Sequence, residues 1–298
     1  MRRALAPLAA LAIAGSLGAA DAAASSTLLH IRRVGSLPVA ASRMAVVALP
    51  DGRIMALGGL IAGASSNQVL LGPPSQLRLV GHLPAPTHDA AAVLQGRDVT
   101  LFGGGQNVST STVVQIDPLT GRARNTGQLP EALSDLGAVS VGTHMYLVGG
   151  YTGTKFATAI LRVGAGATTT TIARLPEGLR YAGVAVIGTT IYTAGGLTPG
   201  GAISAITAVD TSTGAVRTIG RLPSALAHAP LVSNGSQLYL IGGQTASGTP
   251  TSSILRIDPR SGAVSVAGHL PAPVADASAV SVGTRVVVLG SGRTIYEF

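Results

Sequence analysis

Short apolar runs recur along the chain with turn residues between them, and their spacing is regular. After Pro84 the run 90–94 is followed by Gln95-Gly96, then by 98–102, which ends at Gly103-Gly104. A polar loop leads to 113–116, the turn Asp117-Pro118-Leu119-Thr120-Gly121, and a last run closing on Leu129-Pro130. Runs this short, rich in Val, Ile, Thr and Tyr and bounded by Gly and Pro, predict antiparallel strands. The order then repeats. Leu-Pro pairs at Leu37-Pro38, Leu83-Pro84, Leu129-Pro130, Leu175-Pro176, Leu222-Pro223 and Leu270-Pro271 place the prolines 46, 46, 46, 47 and 48 residues apart. Glycine pairs keep step at Gly58-Gly59, Gly103-Gly104, Gly149-Gly150, Gly195-Gly196 and Gly242-Gly243, with Gly290-Ser291 in the last position. Two markers in one register define an internal repeat of four strands. Asp51-Gly52 and Asn234-Gly235 predict two-residue hairpins, whose type I′ turns need positive φ at both central positions. The turns Asp117–Gly121, Asp210–Gly214 and Asp258–Gly262 suit a longer hairpin with Gly in the left-handed position.

Four strands per repeat, a Gly-Gly closing the second and an Asp turn before the fourth resemble the kelch repeat of β-propellers, over residues 28–298. Kelch fourth strands usually carry an aromatic residue; six residues before each proline this chain has Arg32, Arg78, Arg124, Thr170, Arg217 and Ser265. The expected fold is all-β: a six-bladed β-propeller of four-stranded antiparallel blades. The blades are 39–84, 85–130, 131–176, 177–223, 224–271, and a composite of 272–298 with 28–38. The chain opens on an orphan fourth strand, 28–38, and ends on three strands, 274–282, 285–289 and 294–298. Pairing the two ends closes the ring and removes the free sheet edges. The runs 45–49, 90–94, 137–141, 183–187, 229–233 and 278–282 are small and apolar, which suits the strand nearest the axis.

Composition adjusts this picture in three places. Hydrophobic content is 46% but aromatic content only 3%, so Val, Ile, Leu and Ala must fill the core. The chain has no cysteine, which excludes disulfides, thiolate metal sites and thiol nucleophiles. Arg2 and Arg3, the apolar run 4–20 and Ala20-Asp21-Ala22 read as an export signal over residues 1–24, leaving 25–298 as the propeller. The protein is thus expected to be extracellular, periplasmic or cell-envelope associated. An uncleaved anchor is the alternative, but 17 Ala-rich residues broken by Pro7 are short for a bilayer span. The formal charge of +8 becomes +7 without Arg2, Arg3 and Asp21, and Lys155 is the single lysine. Such a chain could lie against an anionic cell-envelope surface. Nucleic acid is not an expected partner, because there is no long basic run and little aromatic stacking surface. A monomer is expected.

In a propeller the loops from fourth to first strand and from second to third strand share one face around the axis. Five residues after each proline, at the mouth of the innermost strand, stand Arg43, Asp89, Asp135, Tyr181, His228 and Asp276. One residue earlier come Ser42, His88, Ser134, Arg180, Ala227 and Ala275. Ionisable groups converging on one concavity make a candidate site. Its ligand-binding candidates are Arg43, His88, Asp89, Asp135, Arg180, Tyr181, His228 and Asp276. Its acid/base candidates are Asp89, His228 and Asp276. Asp89, Asp135 and Asp276 recur in register, so a structural role is expected of them: accepting backbone N–H bonds at the strand entrance. Arg43, Tyr181 and His228 break that pattern. His88, Asp89 and His228 do not have the spacing of a recognised metal motif, and no metal or cofactor is expected. The expected function is binding of a protein or glycan through the loop face, in the loops 60–68, 106–112, 151–156, 197–202 and 244–252. The alternative is a sugar-modifying enzyme, epimerase- or mutarotase-like, using the axial ring. The resemblance implies that alternative, since kelch propellers include a six-bladed sialic acid epimerase. They also include a copper galactose oxidase, whose cysteine-crosslinked tyrosine this chain cannot form.

Overall fold

The computed structural model describes residues 28–298. The expected export signal, 1–24, and its cleavage site lie outside these residues. The described chain is almost entirely β, with one 3-10 turn at Ala165–Ala167 standing where other repeats have the Asp turn. Its strands form four-stranded antiparallel meanders in which sequence neighbours pair. The second blade, for example, orders Ala91–Gln95, Asp98–Phe102, Thr112–Ile116 and Ala123–Gln128. Four blades stand as separate sheets. The first blade and the composite blade share a nine-stranded sheet, because the short strand Leu60–Ile61 pairs with both Arg32–Ser42 and Ala64–Gly72. We count that sheet as two blades.

Burial follows position in the blade. Second strands are covered on both faces by neighbouring blades and read as continuous apolar runs: Ile54–Leu57 is buried at every residue. Fourth strands form the outer wall and are polar, as in Ala123–Gln128. The apolar core is divided into six clusters, each spanning the junction between two successive blades. One of them joins the composite blade to the first, packing Leu37, Val287, Leu289 and Ile295 against Ile54 and Leu70. Burying one such side chain contributes roughly 1.5–3 kcal/mol.

The ends close as a shared blade. Arg32–Ser42 pairs antiparallel with Ser291–Glu297, from Arg32 opposite Glu297 to Ser42 opposite Ser291. A buried carboxylate marks the seam: the Glu297 side chain is 2% exposed and is held between Arg32 and Arg285. Several boundaries differ from expectation. The closing strand runs beyond Pro38 to Ser42. Val274 belongs to the long fourth strand Val264–Val274, and the innermost strand starts at Ser278, because the chain turns through a left-handed Asp276 between them. In the fifth blade the innermost strand is Leu231–Asn234 rather than 229–233, since Pro230 has no N–H to give a ladder.

The glycine pairs are places of close approach. Gly103 has φ +59°, and a Cβ there would lie 2.0 Å from the carbonyl oxygen of Leu133. Gly104 N–H donates to that same oxygen at 2.8 Å, tying the second strand to the segment that leaves for the next blade. Gly142, in a hairpin, also has positive φ, yet a Cβ there would meet nothing within 4 Å. Gly142→Ala should therefore cost about 1–2 kcal/mol, the left-handed penalty alone. Gly103→Ala adds a clash with backbone and should cost more than that. Urea unfolding of the two variants measures the difference; equal losses would mean that the close approach carries no weight.

Candidate functional site

The six residues five past each proline meet at the axis, and their backbones make a closed cycle. Each N–H donates to the carbonyl of its counterpart in the preceding repeat: Asp89 to Arg43 (3.2 Å), Asp135 to Asp89 (2.8 Å), Tyr181 to Asp135 (3.1 Å), His228 to Tyr181 (3.0 Å), Asp276 to His228 (3.1 Å), and Arg43 back to Asp276 (2.9 Å). All six have left-handed φ, between 52° and 58°. That conformation aims successive N–H and C=O groups around the ring instead of along a strand. Asp and His tolerate it better than most residues, and glycine tolerates it best. Here lies the structural reason that Asp recurs. The expectation that these carboxylates accept backbone N–H bonds does not hold: Asp89, Asp135 and Asp276 bind side chains instead.

Their side chains form an ionic network. Arg43 sits between two carboxylates, with Nη1 3.0 Å from Asp89 Oδ2 and Nε 3.3 Å from Asp276 Oδ1. His228 Nδ1 lies 2.6 Å from Asp276 Oδ1, and its ring stacks on Tyr181 at 3.8 Å between centroids. The Tyr181 hydroxyl accepts from Arg180 Nη2 at 2.8 Å and faces Asp89 Oδ2 at 3.5 Å. Arg180 Nε is 3.0 Å from Asp135 Oδ2, an ion pair whose approach lies off the N–H axis. Of the eight candidate residues, Arg43, Asp89, Asp135, Tyr181, His228 and Asp276 line one axial pocket of about 130 Å³. His88 and Arg180 stand behind them. His88 Nδ1 is 2.8 Å from Ser65 Oγ, and its Nε2, 3.6 Å from Asp89, is too far for a hydrogen bond. Among the described residues no group of three His, Asp or Glu side chains is placed to hold a metal ion.

The carboxylates are not equivalent. Burial, with Asp135 and Asp276 nearby, pushes Asp89 from an ordinary 3.8 up to about 7, against the pull of Arg43. Burial also acts on Asp276, but the hydrogen bond and charge of His228 and the charge of Arg43 outweigh it and hold the group below its ordinary value. For Arg43, burial opposes the charge, and Asp89 and Asp276 outweigh it. Burial and the adjacent Arg43 lower His88, favouring its neutral form. Burial and the carboxylates of Asp89 and Asp135 push the Tyr181 phenol far up, so it remains an O–H. At neutral pH the ring thus holds a half-protonated carboxyl beside an ionised one.

One part of the site was not anticipated. The Arg180 guanidinium lies over three rings: Tyr181 at 4.4 Å, Tyr151 at 4.8 Å and Phe156 at 5.3 Å. Tyr151 and Phe156 meet edge-on at 5.7 Å, and both come from the loop after Gly149-Gly150. The signal was present in register. The residue after each glycine pair is Leu60, Gly105, Tyr151, Leu197 or Gln244, and Tyr151 is the one aromatic among them.

Because the folded state keeps a proton on Asp89 that the unfolded chain has released, this group's stabilisation is complete below about pH 4 and is lost as pH rises through about 7. Asp89→Asn cannot titrate. Wild type should lose stability relative to that variant between pH 5 and pH 8, by about 1 kcal/mol per pH unit over the steepest part. Thermal melts of both proteins at the two pH values measure it. A constant gap between them would mean that Asp89 stays ionised.

The fold and the site invite comparison with known proteins. A family model described as the Kelch motif matches residues 225–271, the fifth repeat as counted from the Leu-Pro pairs. A solved structure of the protein YjhT superimposes with a TM-score of 0.74, covering 88% of this chain and 95% of that one at 13% identity. That likeness is one of fold. No curated protein sequence matches the chain. The chain thus carries a match to the Kelch motif in its fifth repeat and has the fold of a β-propeller.

Proposed function

We propose that this propeller is an exported recognition module that takes a glycan on its loop face, over the axial ring and the Arg180 cluster. One observation carries the reading. Six positions adopt the left-handed conformation, the chain uses 40 glycines, and none of the six is glycine. Side chains with a conformational cost of about 1–2 kcal/mol each at Arg43 and Tyr181 are kept for their chemistry. That chemistry is a ring of carboxylate, guanidinium, imidazole and phenol groups, suited to hydroxyl and carboxylate groups of a sugar. Beside it, Tyr151 and Phe156, gathered with Tyr181 around Arg180, offer aromatic surface for the apolar side of a sugar. The chain has nine aromatic residues in all, so gathering three of them here is a marked concentration. A pocket of about 130 Å³ is below the roughly 300 Å³ of ordinary ligand cavities, which favours a ligand lying across the ring over one swallowed by it.

The experiment is a glycan array read with wild type, with Arg180→Ala, and with the double variant Arg43→Ala/His228→Ala. Wild type should bind a restricted set of glycans, and each variant should lose about tenfold or more in affinity, as expected for Arg and aromatic anchors. Glycan binding that survives both variants would place the site elsewhere; binding of none would sink the glycan reading and leave a protein ligand.

A second reading has its own support. The Asp276–His228 contact orients the imidazole with Nδ1 on the carboxylate, leaving Nε2 without a hydrogen-bond partner among the described residues. With Asp89 at about 7 in the same ring, the site has an oriented base and a carboxyl that titrates at neutral pH. That pair suits proton transfer on a reducing sugar, as in anomer interconversion. Polarimetry on a panel of aldoses and acidic sugars tests it: catalysis should fall at least 100-fold in Asp89→Asn and in His228→Ala. Rates equal to buffer for every sugar would reject this reading while leaving the binding one intact.

A further inference from the structure

The face opposite the ring, where first strands turn into second and third into fourth, is built differently. At the axial ring and beside it the cations are paired, Arg43 with Asp89 and Asp276, Arg180 with Asp135, and Lys155 with Glu131, while Arg174 and Arg221 stand apart at the ends of outer strands. On the turn face a groove of about 970 Å³ opens between the first and second blades, and Arg53, Arg97, Arg122 and Arg124 line it. Four arginines face three acids there, and of these only Asp98 is exposed with no partner among the described residues. Asp51 is taken by Arg53 at 2.7 Å. Asp117 accepts the backbone N–H groups of Leu119 (2.7 Å) and Thr120 (3.2 Å), fixing its own turn. Arg97, Arg122 and Arg124 have no acidic partner among the described residues. On the other flank of the first blade a second groove, about 610 Å³, is lined by Arg33, Arg78 and Arg293 and by no acid.

The turn that carries Asp117 also carries Leu119, which is 76% exposed and lines the larger groove together with Arg97 and Arg122. Leu79 and Val80 on the outer strand of the first blade are exposed too. Guanidiniums in excess of the carboxylates around them, beside an apolar tip, match the two layers of a membrane interface: anionic headgroups and the acyl boundary beneath. A soluble polyanion would neutralise the arginines but leave Leu119 in water. We propose that the turn face docks on an anionic phospholipid surface, with the arginines flanking the first blade on the headgroups and Leu119 in the interface. The contact is peripheral, since among the described residues no helix is long and apolar enough to cross a membrane. The strand carrying Arg32 and Arg33 starts at this same end, opposite Tyr296 and Glu297, and in sequence it follows the apolar run 4–20. Docking this way would leave the axial ring facing away from the membrane.

Co-sedimentation of the full chain with vesicles tests the proposal. One set is neutral phosphatidylcholine and the other contains 30% phosphatidylglycerol by design. The readout is the anionic preference, because an apolar segment alone would partition into both sets alike. Wild type should prefer the anionic vesicles and lose that preference as salt rises to about 0.5 M. Arg97→Gln/Arg122→Gln/Arg124→Gln should lower anionic binding about 100-fold, each charge being worth about fivefold at the surface. Leu119→Ser should weaken it further, while Lys155→Gln/Arg174→Gln/Arg221→Gln on the other side should leave it unchanged. All of these side chains are exposed, so thermal melts should match wild type. Equal binding to neutral and anionic vesicles would overturn the proposal. So would an anionic preference that survives the triple variant, or arginine-dependent binding to soluble polyphosphate with none to vesicles.

Discussion

Everything in this propeller hangs on a cycle of six peptide hydrogen bonds drawn tight around the axis. A chain of strands has no reason to close; an open fan of blades would bury almost as much apolar surface. The cycle makes closure specific, because each donor finds its acceptor only if the next repeat arrives in the right place. Left-handed backbone at six positions is the cost of that geometry, and the innermost strands inherit their starting direction from it. The same turn throws six side chains toward one small space. Architecture and candidate chemistry therefore share a cause, and neither can be altered without touching the other.

Electrostatics divides the molecule into two ends. At the axial ring, charge is confined: two guanidiniums and three carboxylates hold one another, and burial forces a carboxyl to keep its proton near neutrality. At the turn end, carboxylates are used up locally, as Asp117, Asp210 and Asp258 each cap their own hairpins, and the arginines face solvent. Arginines without an acidic partner crowd the turn side, with Arg174 and Arg221 standing on the other. Recognition at the ring depends on shape and hydrogen bonding, and the turn side acts at longer range through charge.

Much of the architecture could be read from residues. The Leu-Pro and Gly-Gly registers set the repeat, and the match of the first strand to later fourth strands foretold the shared blade. The ring itself was located by counting five residues from each proline. What could not be read was conformation and partnership. Nothing in the letters of Asp89 says that its φ is positive, so its recurrence suggested a carboxylate capping backbone rather than a residue tolerant of left-handed geometry. The Arg180 cluster combines residues from two loops some 24 to 29 positions apart, and stacking across that distance leaves no periodic trace. Strand limits moved where proline or a left-handed turn intervened, at Pro230 and Asp276. The buried Glu297 was missed because a lone acid in a closing strand looks like any solvated one.

The seam between the ends has a consequence in time. Arg293 reaches back 256 residues to the carbonyl of Leu37, and the strand around it completes a sheet whose fourth member was made first. Contacts so distant in sequence form late and slowly. Until residue 276 arrives the axial cycle is missing its last acceptor, and until residues 291–297 follow, Arg32–Ser42 waits with a bare edge. The molecule is thus an open chain of blades for nearly all of its synthesis and becomes a ring in one final step.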